Sequence, residues 1–167
     1  AQLAPTLDDA WALAPLARLS ASRGWRDSAE VLSGRLSELA SRVPNAKQAM
    51  GLARLCAGAD RAIEETCVAR VLELCASMKA ADILALADEA RASGLDRHVG
   101  RLLQAVLDID SKNETARRGL GYRLLGSAWV SNDEWQAANG NVQLDGAWMT
   151  PQERDFRIRE KNSGLEQ

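Results

Sequence analysis

Imidazole is nearly absent from this 167-residue chain, in which His98 is the only histidine. Any Ser-His-Asp or Cys-His arrangement would have to be built on it. It follows Asp96, a capping residue type, which puts it in a first, solvated helical turn and makes a surface residue the expectation. Phenylalanine and tyrosine occur once each, and Val and Ile are few beside Ala and Leu, a balance that favours helix over sheet. Cysteine is limited to Cys56, Cys67 and Cys75, without Cys-x-x-Cys spacing. That argues against a structural zinc site and leaves at most one internal disulfide. No apolar run approaches the ~18–20 residues that span a bilayer, so no membrane insertion is expected. An excess of positive charge is missing too: 21 Lys and Arg stand against 23 Asp and Glu. Nucleic-acid binding needs clustered cations that displace counterions, so no nucleic-acid partner is expected. No glycine-rich phosphate loop follows a strand and no His/Asp/Glu cluster has ligand spacing. Neither a cofactor, nor a metal, nor a catalytic residue is expected.

What is present reads as helices punctuated by Gly, Pro and capping residues. Thr6 caps a first helix carrying Leu7, Ala10, Trp11, Ala14 and Ala17 on one side, with Pro15 expected to kink or divide it. Asp27-x-x-Glu30 reads as a capping box opening a second, with the stripe Val31, Leu32, Leu36, Leu39, Val43. A third runs from about Ala46 to Ala57 and stops at Gly58. Asp60 caps a fourth with the cleanest period in the chain: Ile63, Cys67, Val71, Leu74, Cys75, Met78. A fifth ends at Gly94, and a sixth starts at Asp96 with Val99, Leu102, Leu103, Val106 and Leu107 inward. Ser111-x-x-Glu114 caps a short seventh. Glu64-Glu65 falls in an early helical turn, where negative charge suits the helix dipole. On the fourth stripe Cys67 and Cys75 read as small hydrophobes. Alternatively, the third helix folds back on the fourth and a Cys56–Cys67 disulfide is geometrically accessible.

Two internal repeats organise the chain. A shift of 70 residues places Gly24 on Gly94, Leu32 on Leu102, Leu36 on Val106 and Leu39 on Ile109, two helix pairs of roughly 35 residues each. With Ala87, Gly94 and Val99 at positions that want small or apolar residues, residues 7–120 resemble the tetratricopeptide class. That resemblance implies a mainly α fold of stacked antiparallel helical hairpins, an α-α superhelix over residues 1–120. A shift of 19 aligns Gly121–Glu134 with Gly140–Glu153 without a gap, matching Gly, Leu, Ala, Trp and Glu. Each copy reads as a β-hairpin, turning at Gly126-Ser127 or Asp145-Gly146. Each then enters a helix through a capping box, Ser131-x-x-Glu134 or Thr150-x-x-Glu153, with Pro151 at a first helical position. An isolated hairpin is marginal in water, so the duplicated appendage, residues 121–167, is expected to pack on the helices or copy on copy. The Gly-x-Trp-Val/Met-Ser/Thr-x-x-Glu string resembles a tail of uncharacterised, often exported, bacterial repeat proteins, which implies export and no particular activity.

The opening Ala1-Gln2-Leu3-Ala4-Pro5 fits signal-peptide cleavage and an extracytoplasmic location, periplasmic or secreted; a fragment boundary explains it equally, with a cytoplasmic protein left open.

Five tryptophans are unusual beside one Phe and one Tyr. Trp11 and Trp25 read as packing residues. Trp129 and Trp148 hold equivalent repeat positions, and a shared role, each indole pinning its hairpin to the helix that follows, is the simpler reading. Trp135 has no counterpart, because the repeat places Arg154 there, so it is the better candidate for an exposed contact. With Trp129, Trp148 and Tyr122 it forms the candidate partner-binding set, since Trp is enriched at binding hot spots. Arg117, Arg118 and Arg123 beside Tyr122 invite an anion, but residues 111–167 hold eight cations and eight anions and carry no basic field. Helix-pair stacks offer long surfaces without preorganised catalytic groups. The expectation is a non-enzymatic interaction or scaffold module, docking a protein partner or self-assembling. The alternative is a carbohydrate-binding or accessory domain of a larger exported enzyme, using the C-terminal tryptophans.

Overall fold

The computed structural model describes residues 7–24, 26–58 and 60–163. Thr6 and Trp25, read above as a cap and a packing residue, lie outside the described residues. Within them the chain is mainly helical: α1 (Leu7–Ser22), α2 (Arg26–Ser41), α3 (Ala46–Cys56), α4 (Arg61–Cys75), α5 (Ala80–Ala92), α6 (Asp96–Ile109) and α7 (Glu114–Gly119). There follow β1 (Arg123–Leu125), β2 (Ala128–Val130), α8 (Asn132–Ala138), β3 (Val142–Leu144), β4 (Ala147–Met149) and α9 (Pro151–Ser163). No described helix is long and apolar enough to cross a membrane. The chain divides into two compact units, one reaching to Ala116 and the other starting at Arg117.

In the first unit, consecutive helices pack in pairs, α1 on α2, α3 on α4 and α5 on α6. Beyond the pairs, α1 touches α3 and α3 touches α5, while α2 touches α4 and α4 touches α6. Odd and even helices thus form two layers, because connections of a few residues return each helix beside its predecessor. The core between them holds Leu36, Leu39, Val43, Met50, Leu52, Ile63, Val68, Val71, Ile83, Leu86, Leu102 and Val106, all buried. Asp60 begins α4 as expected, its Oδ1 accepting from the Ala62 and Ile63 amides while Ser33 Oγ of α2 donates to Oδ2 at 2.6 Å. Arg70 Nε of α4 donates to the Val43 carbonyl just after α2. These bonds anchor both ends of the α2–α4 contact.

Several local readings are corrected. α1 is not divided at Pro15 but runs through it as one helix that packs on α2 and α3. Asp27 lies inside the first turn of α2, so its box does not open that helix. Val31 is 73 % exposed, off the buried stripe. The Asn113 side chain, not Ser111, accepts from the Ala116 amide and caps α7. Cys56, Cys67 and Cys75 are buried and stand as free thiols in this structure.

The second unit follows the short repeat closely. β1 pairs with β2 antiparallel, Leu124 opposite Trp129, and β3 with β4, Gln143 opposite Trp148. Gly126 has φ +62° and Ser127 does not turn positive, the backbone of a type II′ hairpin. Asp145 and Gly146 are both positive, at 50° and 80°, as a type I′ turn requires. Ser131 and Thr150 each accept from the amide three residues on, and Glu134 and Glu153 reach back to the cap amides. Both capping boxes are complete.

Candidate functional site

The first copy of the hairpin repeat builds a cleft of about 500 Å³ lined by Arg118, Tyr122, Arg123, Leu124, Trp129 and Trp135, with Asn132 and Gly121 at its edge. Each side chain has a local reason to be there. The β1–β2 register sets Leu124 across from Trp129, and the Ser131 cap starts α8 so that Trp135 falls one turn inside it. Arg123 Nε donates to Asn132 Oδ1 at 2.9 Å, and its guanidinium lies 4.7 Å from the Trp135 ring centroid. Arg117 and Arg118 lie over Trp129 at 5.7 and 5.6 Å. These are cation–π separations, which place each guanidinium over an indole ring. Trp129 and Trp135 are half-buried, while Tyr122 and Leu124 are 40 % and 50 % exposed. The result is an apolar rim around oriented arginines.

Tyr122, Trp129 and Trp135 of the candidate set are therefore brought together, whereas Trp148 is not part of the cleft. Its Nε1 donates to Asp133 Oδ1 of α8 at 2.8 Å. Each indole contacts the preceding helix, Trp129 through Arg117 and Arg118 of α7 and Trp148 through Asp133 of α8, and Trp129 also lines the cleft with Asn132 and Trp135 of the helix that follows. The arginines and Asn132 were outside the candidate set drawn from the sequence. A signal for them existed in the repeat, where copy one has Tyr122, Arg123, Leu124, Asn132 and Trp135 and copy two has Asn141, Val142, Gln143, Pro151 and Arg154. The copies share Gly, Leu, Ala, Trp and Glu at equivalent positions and differ at these five cleft residues.

A second cluster lies in the helical unit. His98 is 1 % exposed, not the surface residue expected, and its Nε2 stands 2.6 Å from Oε1 of Glu64, itself 2 % exposed. Arg97 Nη2 donates to the same carboxylate oxygen, and Arg97 Nε lies 3.1 Å from His98 Nε2. The α4–α6 contact, not the helix dipole alone, thus accounts for Glu64. Glu64 also acts on Cys67, whose thiol is pushed up to about 12 by burial, then by Cys56 and by Glu64. That is the reverse of nucleophile activation, because the thiolate is the reactive form. Cysteine, glutamate and histidine here make a buried polar anchor between helices. Among the described residues no group of three or more His, Cys, Asp or Glu is placed to hold a metal ion.

No family model, curated protein or solved structure matches the chain.

Proposed function

We propose that this chain is a non-catalytic interaction module that docks a protein partner through the Arg–Trp cleft of its first hairpin, with the helical pairs as a tetratricopeptide-like scaffold. The observation that carries this reading is the coincidence of half-buried indoles, stacked guanidiniums and an exposed apolar rim in one cleft. Trp and Arg in a partly desolvated pocket are the residue types that dominate binding energy. The cluster around Glu64 offers no competing chemistry, since its thiol is held protonated and its charges pair with one another.

The same geometry weighs against the carbohydrate reading. A sugar stacks its apolar face on a bare aromatic face, and here Trp129 and Trp135 each have a guanidinium over the ring. The test is co-purification from the natural host followed by reconstitution of the purified pair. Trp135→Ala is expected to weaken that pair by about tenfold or more. Glycan-array binding that disappears in Trp129→Ala or Trp135→Ala would replace this reading with the carbohydrate one. If the chain is exported, the adjacent Cys56 and Cys67 thiols are the pair that oxidation would bridge, which a non-reducing peptide map of secreted material tests.

A further inference from the structure

Resting on the reading of the cleft as a protein-docking site, we propose the chemistry of what it docks: an acidic peptide segment whose Asp or Glu side chain engages Arg123 while a neighbouring apolar side chain covers Tyr122 and Leu124. Charge complementarity carries the choice. Among the described residues the cleft lining includes Arg118 and Arg123 and no aspartate or glutamate. Among those same described residues Arg123 makes no ion pair with the protein's own carboxylates; its partners are the neutral amide of Asn132 and the face of Trp135. A guanidinium carries five N–H donors. With Nε–H donated to Asn132, both Nη groups retain the capacity for a bidentate carboxylate contact, the strongest of the charge-assisted hydrogen bonds. Stacking on Trp135 and bonding to Asn132 order the side chain before any ligand arrives, which lowers the entropy lost on binding.

The rim decides between an acidic peptide and a polyanion. Tyr122 and Leu124 lie 40 % and 50 % exposed beside the arginines, and covering them requires apolar side chains next to the carboxylate. A nucleic acid would use indole faces as stacking platforms, and Trp129 and Trp135 each have a guanidinium over the ring that would compete for one. The chain as a whole has a net charge of -2, which supplies no general attraction for a phosphate backbone.

The experiment pans a display library of random dodecapeptides against the full chain, then measures the recovered peptides by fluorescence anisotropy. The expected result is enrichment of Asp or Glu next to an aliphatic or aromatic residue. Affinity should fall by about tenfold or more in Arg123→Ala, fall also in Arg123→Lys, which lacks the planar fork, and stay unchanged in Arg157→Ala of α9. Circular dichroism of each variant verifies the fold. Recovery of peptides without acidic enrichment, no recovery, or equal affinity for the Arg123 variants overturns the proposal. So does an oligothymidine that displaces the peptide at lower concentration than the peptide itself, which would assign the cleft to single-stranded nucleic acid. If panning fails while a reconstituted protein pair still depends on Trp135, the acidic chemistry falls and the docking reading stands.

Discussion

Glu64 and His98 are each at most 2 % exposed, and burying two such groups is favourable only because each satisfies the other. Glu64→Leu leaves His98 and Arg97 without their carboxylate and is expected to cost about 3 kcal/mol in urea unfolding. His98→Leu is expected to cost less, since Arg97 still serves Glu64. The double variant should recover much of the loss, because replacing both partners of a buried polar pair by apolar groups is often near neutral. Additive losses would contradict the pairing. Cys67 carries a pH consequence. Its folded thiol keeps the proton up to about 12, against 9.0 for an ordinary thiol, so its contribution is full below 9.0 and is lost as pH rises toward 12. Between about pH 8 and about pH 10.5, the wild-type urea midpoint should drop more than that of Cys67→Ala. Equal drops would contradict the shift.

At the scale of the element, two helical glycines make opposite predictions. Gly34 lies in α2 with nothing within 4 Å of where a Cβ would stand, so Gly34→Ala is expected to stabilise by about 0.5–1 kcal/mol through helix propensity. A Cβ at Gly51 of α3 would stand 2.6 Å from Trp11 Cη2. Overpacking of this kind costs about 1–3 kcal/mol, more than the propensity gain, so Gly51→Ala should lower the melting temperature. The capping boxes give a titration instead. Backbone and side-chain bonds from Ser131 hold Glu134 below the ordinary 4.5, and Thr150 does the same for Glu153. A depressed folded value means that the caps contribute above 4.5 and are lost as pH falls through the lower folded midpoint. Carboxyl-detected NMR should place both midpoints under 4.5, and Ser131→Ala should raise that of Glu134 alone. These elements were legible because hairpin turns, capping boxes and helical stripes are written in residues a few positions apart. The burial of His98 was not, since a first-turn residue is solvated until α4 packs against α6. Nor was Arg123, whose role depends on β1–β2 register and α8 placement together. Its mismatch with Val142 in the repeat was visible but carried no geometry.

At the scale of the whole molecule, the two units differ in what they leave to solvent. The helical unit encloses its unusual chemistry, with Glu64, His98 and Cys67 all buried. The unit after Arg117 exposes its own, keeping Tyr122, Leu124 and the arginine-covered indoles at a cleft. The two copies share the hairpin and capping-box plan, with Gly, Leu, Ala, Trp and Glu at equivalent positions, while Tyr122, Arg123, Leu124, Asn132 and Trp135 of the cleft are replaced in the second copy. On the docking proposal, it is the first copy, and not the second, that contacts a protein. Site-specific photocrosslinking in the natural host tests it most directly, with a benzophenone side chain placed at Tyr122 in one sample and at the equivalent Asn141 in another. The expected result is a discrete protein adduct from position 122 that is lost in the Arg123→Ala background, and none from position 141. Equal adducts from both positions, or an adduct at 122 that survives Arg123→Ala, would contradict it.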